Sequence, residues 1–473
     1  MLRARWLALL VLATPLAAQS PDSIIRLLER NTLPLVHITG EPAVGAPLAE
    51  RMAAHRTPAV SIAVIDGGKI AWAKAWGMAD QQRGRAATTQ TLFQAASISK
   101  PVAATAALSL VQEGRLALDT NVNRYLSSWQ VPESEHAHGQ PVTLRRLLTH
   151  TAGLTVHGFP GYARSATIPT AVKVLNGLGN TRPVVVDTTP GSLWRYSGGG
   201  YTVTQVLLSD VTGLPFATLI RERVLRPMGM TLSTYEQPLP EARWAEAATG
   251  YRRTGDPVEE DWHVYPEQAA AGLWTTPSDL ARWGLSVLAA YNGATGGVLA
   301  PAAAKEMLTP GLGNYGLGPG VYPEFRAFGH GGANEGFRCQ ITVFLDGRGV
   351  AVMTNSDAGA NLAREVMITL SAAYGWPPMF QQVERSVAGV PAATLEQIAG
   401  SYRFPDDTTT AVVTLEQGRL FLAFPRFGRL ELLPESDTTL FMRDDGTRLT
   451  VVRENGRVVA LSMFGQRARR VER

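Results

Sequence analysis

Ser97-Ile98-Ser99-Lys100 sets a hydroxyl and an amine three residues apart at the head of an Ala- and Leu-rich run, Ser97 to Glu113, that stops at Gly114. On a helix, residues three apart share a face, so the Lys100 amine lies one turn from the Ser97 hydroxyl. A serine hydroxyl is a poor nucleophile at neutral pH until a neighbour accepts its proton. A lysine can be that neighbour once burial in a cleft lowers its pKa. The helix N-terminus adds unpaired N–H groups and positive potential where an oxyanion would form. Taken alone the four residues are a moderate signal, because an N-cap serine on a surface helix looks the same.

Other chemistry-bearing residues are less productive. His136-Ala137-His138 has a spacing a metal can use, but no Cys or acidic partner stands at ligand spacing, and a solvated loop is the simpler reading. Cys339 is the only cysteine. It sits in an apolar, strand-like stretch and reads as a buried packing thiol, with no intramolecular disulfide to form. Gly316-Leu317-Gly318-Pro319-Gly320 lacks the following helix with Lys-Ser/Thr that a phosphate loop requires. No Gly-x-Ser-x-Gly elbow occurs. No cofactor or metal is expected.

Four further segments follow Ser97 in order: Leu147-Leu148-Thr149-His150-Thr151-Ala152-Gly153-Leu154, then Pro190-Gly191-Ser192-Leu193-Trp194-Arg195-Tyr196-Ser197-Gly198-Gly199-Gly200-Tyr201, then Gly272-Leu273-Trp274-Thr275-Thr276-Pro277-Ser278-Asp279-Leu280, then Gly329-His330-Gly331-Gly332. Together they resemble the serine β-lactamase and penicillin-binding protein superfamily over roughly residues 25–375. The branch they resemble holds class C β-lactamases, D-Ala-D-Ala carboxypeptidases, D-aminopeptidases and related esterases. The resemblance implies Ser97 as nucleophile, Lys100 as its partner, and Tyr196 as the second-motif tyrosine that relays protons, its pKa lowered between two cations. It implies His330 giving a hydrogen bond or charge to substrate, Gly332 letting the substrate backbone approach, and Ala333 sharing an oxyanion hole with the Ser97 N–H. His150, within the first of these segments, reads as structural.

Two departures bear on substrate. Gly198 stands where the second motif usually has an Asn whose amide meets both the lysine and the substrate's acyl-amide. His330 replaces a lysine, so the fixed charge for a β-lactam carboxylate is weakened at neutral pH. Both lean toward ester or D-amino-acid substrates. A true β-lactamase or D-Ala-D-Ala carboxypeptidase stays open, as does a non-catalytic binder of cell-wall fragments.

The elements that must position these groups are legible as patterns. Val60 to Ile65, the turn Asp66-Gly67-Gly68 and Ile70 to Trp76 read as two paired strands. Gln340 to Leu345, Asp346-Gly347 and Val350 to Thr354 repeat the pattern, and Gly359 to Tyr374 has helical periodicity. Ala171 to Leu178, Tyr201 to Asp210, Phe216 to Val224 and Ser278 to Ala289 also read as helices. The fold expected is α+β and β-lactamase/transpeptidase-like: an antiparallel sheet flanked by helices plus an all-helical region, with the cleft between them. After Pro377-Pro378 seven short β runs, from Gly400 to Phe464, predict a small sandwich or barrel. It resembles the lipocalin-like module often appended to this family, as a ligand-binding part or a structural cap.

The chain has 473 residues, 45% hydrophobic and 18% charged, with a net charge of +4, a globular balance large enough for two or three domains. Arg3 and Arg5, the apolar run Trp6 to Ala13 and the small residues ending at Ala18 read as an export signal, placing the mature protein in the periplasm or outside the cell. That run is too short to span a membrane, and no later run is long enough. The domains expected are 1–18 signal, 19–376 hydrolase, 377–390 linker and 391–473 β module. Basic residues are scattered apart from Arg467, Arg469, Arg470 and Arg473, read as a solvated terminus, so nucleic acid is not the expected partner. A small-molecule or peptide-like acyl substrate is.

Overall fold

Every residue from Ala59 to Ile65 is buried, which two-faced burial of a central strand explains. Val60, Ile62 and Val64 pack with Ile24 and Leu28 of the helix Pro21–Arg30 and with Leu362, Val366 and Leu370 of the helix Gly359–Tyr374. Ala59, Ala63 and Ile65 face the opposite way, into the core that holds Leu280, Trp283 and Val287 of the helix Pro277–Tyr291. The computed structural model describes residues 20–42, 44–405, 410–424, 428–463 and 465–471. The export signal read in residues 1–18 lies outside them.

The sheet is antiparallel with seven strands, in the order Arg85–Ala86, Lys69–Asp80, Ala59–Asp66, Gly349–Thr354, Phe337–Phe344, Ala327–Asn334 and Gly320–Tyr322. Early and late hairpins therefore meet at its centre, as their shared pattern predicts. Gly320–Tyr322 pairs only with Ala327–Gly329, so the stretch from His330 to Asn334 is left as an edge beside the helical region. That region is built round the helix Ser99–Gln112, in which twelve residues are buried and no polar face remains, the mark of a central helix. Gly198–Thr212, Gln268–Ala271 and Phe216–Ile220 pack against it. Arg221–Leu225 continues the last of these as a π-helix. Among the described residues no single helix is long and apolar enough to cross a membrane.

The C-terminal part is a closed barrel of eight strands, from Gly400–Arg403 to Gln466–Val471. The eighth strand corrects the sequence reading. Three of the four arginines taken as a solvated tail, Arg467, Arg469 and Arg470, lie on it, and Arg473 is outside the described residues: Ala468 points into the core, the Arg467 guanidinium pairs with Glu454, and Arg470 donates to the Gln397 and Ala399 carbonyls. Arginine on the outward positions hid the alternation, because its stem covers apolar surface while its head stays in water. Tyr402, Leu422, Leu432, Leu440, Leu449 and Leu461 fill the interior, as in other small barrels. The segment 377–390, read as a linker, is tied down. Its strand Val383–Arg385 pairs in parallel with Val36–Ile38, and Arg385 holds the Gly446 carbonyl of a barrel hairpin at 2.7 and 3.0 Å. Gly446 has φ +72°, and a Cβ there would stand 2.8 Å from Val383 Cγ1.

Candidate active site

Ser97 does not begin an α-helix. It lies on a 3-10 turn, Ala96–Ile98, that leads into Ser99–Gln112. Ala96, just before it, has φ +49°, a left-handed conformation that costs a non-glycine residue energy and must be held from outside. The holding contacts come from the third sequence segment. The Ala95 N–H donates to Leu273 O, Leu273 N–H donates to Ser99 Oγ, and Phe93–Gln94 pairs with Trp274–Thr275. From the other side Asn334 Nδ2 reaches Gln94 Oε1 at 2.8 Å and Ala271 O at 3.1 Å. The Gly-Leu-Trp-Thr segment is thus the clamp of the serine turn.

Lys100 is buried, with Nζ 2.9 Å from Ser97 Oγ and donating to Ala270 O at 2.8 Å. Burial lowers its pKa from 10.5 to about 7, so near neutral pH a large share of the amine carries a free lone pair. The rings of Tyr196 and Tyr201 lie 4.9 and 5.8 Å from Nζ. Burial outweighs the Ser97 side chain, which acts to lower the pKa of the Tyr196 hydroxyl. Its pKa is raised by burial, against the lowering expected from two cations. The expected cations are weak: with a pKa of about 7, Lys100 carries its charge only about half the time at pH 7, and His330 carries none. Tyr196 rests as a phenol, able to pass a proton but not to store negative charge.

His330 departs from expectation in the same way. Burial, with Lys100 nearby, pushes its pKa down to about 3. Its Nδ1 faces the Gly331 carbonyl at 2.5 Å, which can only accept, so Nδ1 carries the proton. Nε2 then accepts from the Tyr315 hydroxyl, also at 2.5 Å. Both ring nitrogens are taken, and the ring offers a substrate no charge. Gly332 lines the cleft and also has a second, internal reason to be glycine. A Cβ there would stand 2.2 Å from Ala95 O and 2.4 Å from Cys339 Sγ, so the glycine admits the protein's own serine turn. Cys339 is buried and donates to Ala95 O at 3.0 Å, the packing thiol expected.

At Gly198, the first residue of the helix Gly198–Thr212, the space for a side chain is already occupied. A Cβ would meet Phe159 Cε2 at 2.8 Å and His157 O at 3.1 Å. An aromatic ring and a main-chain carbonyl stand where the second motif's amide is expected. Ala270 O supplies the lysine with the oxygen partner that amide would have given.

Sequence reasoning missed three residues of this site. His150 has φ +59°, is buried, and lies with its ring centroid 4.1 Å from that of Tyr196. Its Nδ1 accepts from the Ser197 N–H and its carbonyl from the Arg195 N–H, so the residue read as a brace grips both neighbours of Tyr196. Tyr315 and Phe159 lie in loops with no periodic or motif signal. His136 and His138 are exposed, and no metal-binding group of His, Cys, Asp or Glu occurs among the described residues.

Ser97, Tyr196, His330, Gly332 and Ala333 line one cleft of about 520 Å³, continued by Arg338 and Gln340 of the sheet and by Ala363, Arg364 and Met367 of the last hydrolase helix. All the residues expected at the site thus border it or, for Lys100 and Gly198, lie directly behind it.

A penicillin-binding protein of Bacillus subtilis is 26% identical over 81% of this chain and 87% of its own length. The esterase EstB of Burkholderia gladioli is 29% identical over 54% of this chain and 70% of its own. The octameric penicillin-binding protein homologue of Pyrococcus abyssi shares the fold with a TM-score of 0.61 and 22% identity, over 89% of this chain and 98% of its own. The D-alanine carboxypeptidase AmpC of Burkholderia cenocepacia does so with a TM-score of 0.52 and 23% identity, over 68% of this chain and 96% of its own. The barrel, within residues 384–472, matches a domain of unknown function, DUF3471. The model of the Beta-lactamase family matches residues 46–373, and the chain belongs to that family.

Proposed function

We propose that this chain is a serine hydrolase that cleaves carboxylic esters through an acyl-enzyme on Ser97, in preference to β-lactams and peptide amides. The observation that carries the reading is the Lys100 amine, buried, lowered to about pKa 7 and 2.9 Å from Ser97 Oγ. Lys100 Nζ takes the Ser97 proton as Oγ attacks the carbonyl carbon. The main-chain N–H groups of Ser97 and Ala333 hold the oxyanion. Tyr196, a phenol in the same cleft as Ser97, hands a proton to the leaving oxygen and recovers one from Lys100. Water then attacks the acyl-enzyme by the same path in reverse and releases the acid.

The preference for esters rests on what flanks the nucleophile. Phe159 occupies the place where an amide would recognise an acyl-amide, and an ester does not need that partner. The neutral His330 removes the charge that would hold a β-lactam carboxylate. One observation favours a second reading, hydrolysis of D-amino-acid amides: Arg364 is exposed at the cleft and can meet a substrate carboxylate.

Intact-mass spectrometry with a fluorophosphonate probe, and separately with a penicillin, tests the proposal. A single probe adduct that Ser97→Ala abolishes, with no penicillin adduct and with turnover of p-nitrophenyl esters, is the expected result. A stable penicillin adduct or cephalosporin turnover returns the protein to β-lactam or cell-wall chemistry. No adduct with either reagent overturns the enzyme reading in favour of a binder of cell-wall fragments.

A further inference from the structure

Large apolar side chains exposed to water are few among the described residues; two of them, Leu193 and Trp194, shortly precede Tyr196 in the chain, and a third, Leu312, precedes the glycine that packs on the Trp194 ring. Trp194 is 37% exposed, Leu193 43% and Leu312 51%. The Trp194 ring lies 6.4 Å from that of Tyr196 and 5.6 Å from that of Tyr315. Leu312 comes from a different loop, and Gly313 after it sits flat on the indole: a Cβ there would be 2.6 to 2.9 Å from three ring atoms. The glycine therefore lets the two loops approach closely, and the indole stays 37% exposed. The cationic residue of this stretch, Arg195, is turned away to Asp187 and the Gly153 carbonyl. The charge of Arg195 is thus engaged elsewhere.

An exposed apolar patch has a cost in water, and here its indole lies next to the ring of Tyr196, which borders the cleft. The group that covers it during turnover is the substrate itself. We propose that Leu193, Trp194 and Leu312 form a binding rim for the hydrocarbon part of the ester, an alkyl or aryl group, so that the enzyme prefers apolar esters to short or polar ones. This rests on the ester reading above and adds the substrate class and the residues that select it. The hydrocarbon can be carried by the acyl or by the alcohol side of the ester. The chemistry at the rim is the same for both.

Two series tested on the full chain separate these sources: p-nitrophenyl esters from acetate to decanoate, and acetates of alcohols from methyl to octyl. Full burial of one methylene raises kcat/KM by about three- to fourfold. A rim half open to water should therefore give about twofold per methylene over the first few carbons, in one series or the other. Trp194→Ala and Leu312→Ser should each lower the octanoate-to-acetate ratio, or the corresponding ratio for the alcohols, by about tenfold. The ratio is the readout because a general loss of folding lowers both of its members alike. If Ser97 takes the fluorophosphonate but kcat/KM is flat in both series, or the ratio survives both substitutions, the rim has no such role. If no ester is turned over and Ser97 is not labelled, the ester reading itself falls, and the inference with it.

Discussion

Replacing Lys100 by methionine should abolish turnover and yet stabilise the fold near neutral pH. The side chain is fully buried, with no carboxylate partner, and its pKa is about 7 against 10.5 in water. The folded state therefore binds fewer protons than the unfolded chain between pH 7 and 10.5, so the stability of the native protein rises with pH across that window. Below pH 7 the penalty is constant. Near pH 7 it is on the order of 4 kcal/mol, at about 1.4 kcal/mol per pH unit of pKa displacement. Methionine removes the penalty but strands Ala270 O, which loses its lysine donor at a cost of about 1–3 kcal/mol. The variant should be more stable by about 1–3 kcal/mol at pH 7. Its advantage should shrink by about 2 kcal/mol by pH 9, a difference from which the stranded carbonyl cancels. Denaturant unfolding followed by tryptophan fluorescence at pH 7, 8 and 9 measures this. In the same range kcat/KM of the native enzyme should climb with pH around a midpoint near 7, as Nζ loses its proton. A stability difference that does not change with pH, or a variant less stable at pH 7, would show that Lys100 keeps its proton. It would then not be the base.

Gly332→Ala should cost about 2–3 kcal/mol and slow fluorophosphonate labelling, because its methyl group would push on Ala95 O and thereby on the Ser97 turn; unfolding and labelling rates report the two effects. Gly198→Asn should be destabilised by about 1–3 kcal/mol through collision with Phe159. Combining it with Phe159→Ala should restore stability and permit a penicillin adduct, which mass spectrometry detects. Arg51→Met should cost about 3–5 kcal/mol at pH 8. Burial pushes the Glu365 carboxyl pKa up, and hydrogen bonds from His55 and Arg51 outweigh that and hold it below the usual range. Its stabilising contribution is present above the unfolded value of 4.5 and lost as pH falls through the lower folded value, so the cost of the substitution should fade toward pH 4. Unfolding curves at pH 8 and pH 4 that differ from the native protein by the same amount would contradict this.

Ser97 and Lys100 were legible as a pair because a helical turn makes Ser-x-x-Lys local, and Tyr196 and His330 were legible only through the resemblance of their segments to a known family. The sheet was legible from paired hairpins with Gly turns, and the barrel from short alternating runs, except where Arg467, Arg469 and Arg470 masked the last strand. What the sequence does not carry is the electrostatics. Whether Tyr196 is a base or a phenol, and whether His330 bears a charge, depends on burial and on partners far along the chain: Ala270 O for Lys100 and the Tyr315 hydroxyl for His330. The use of each glycine was equally hidden. Gly332 makes room for Ala95 and Gly198 for Phe159, contacts between segments that no local pattern connects. The residue types for the chemistry were thus a property of the sequence alone. Their protonation states and the shape left for a substrate came only from tertiary packing, because desolvation and steric exclusion act between residues distant in the chain.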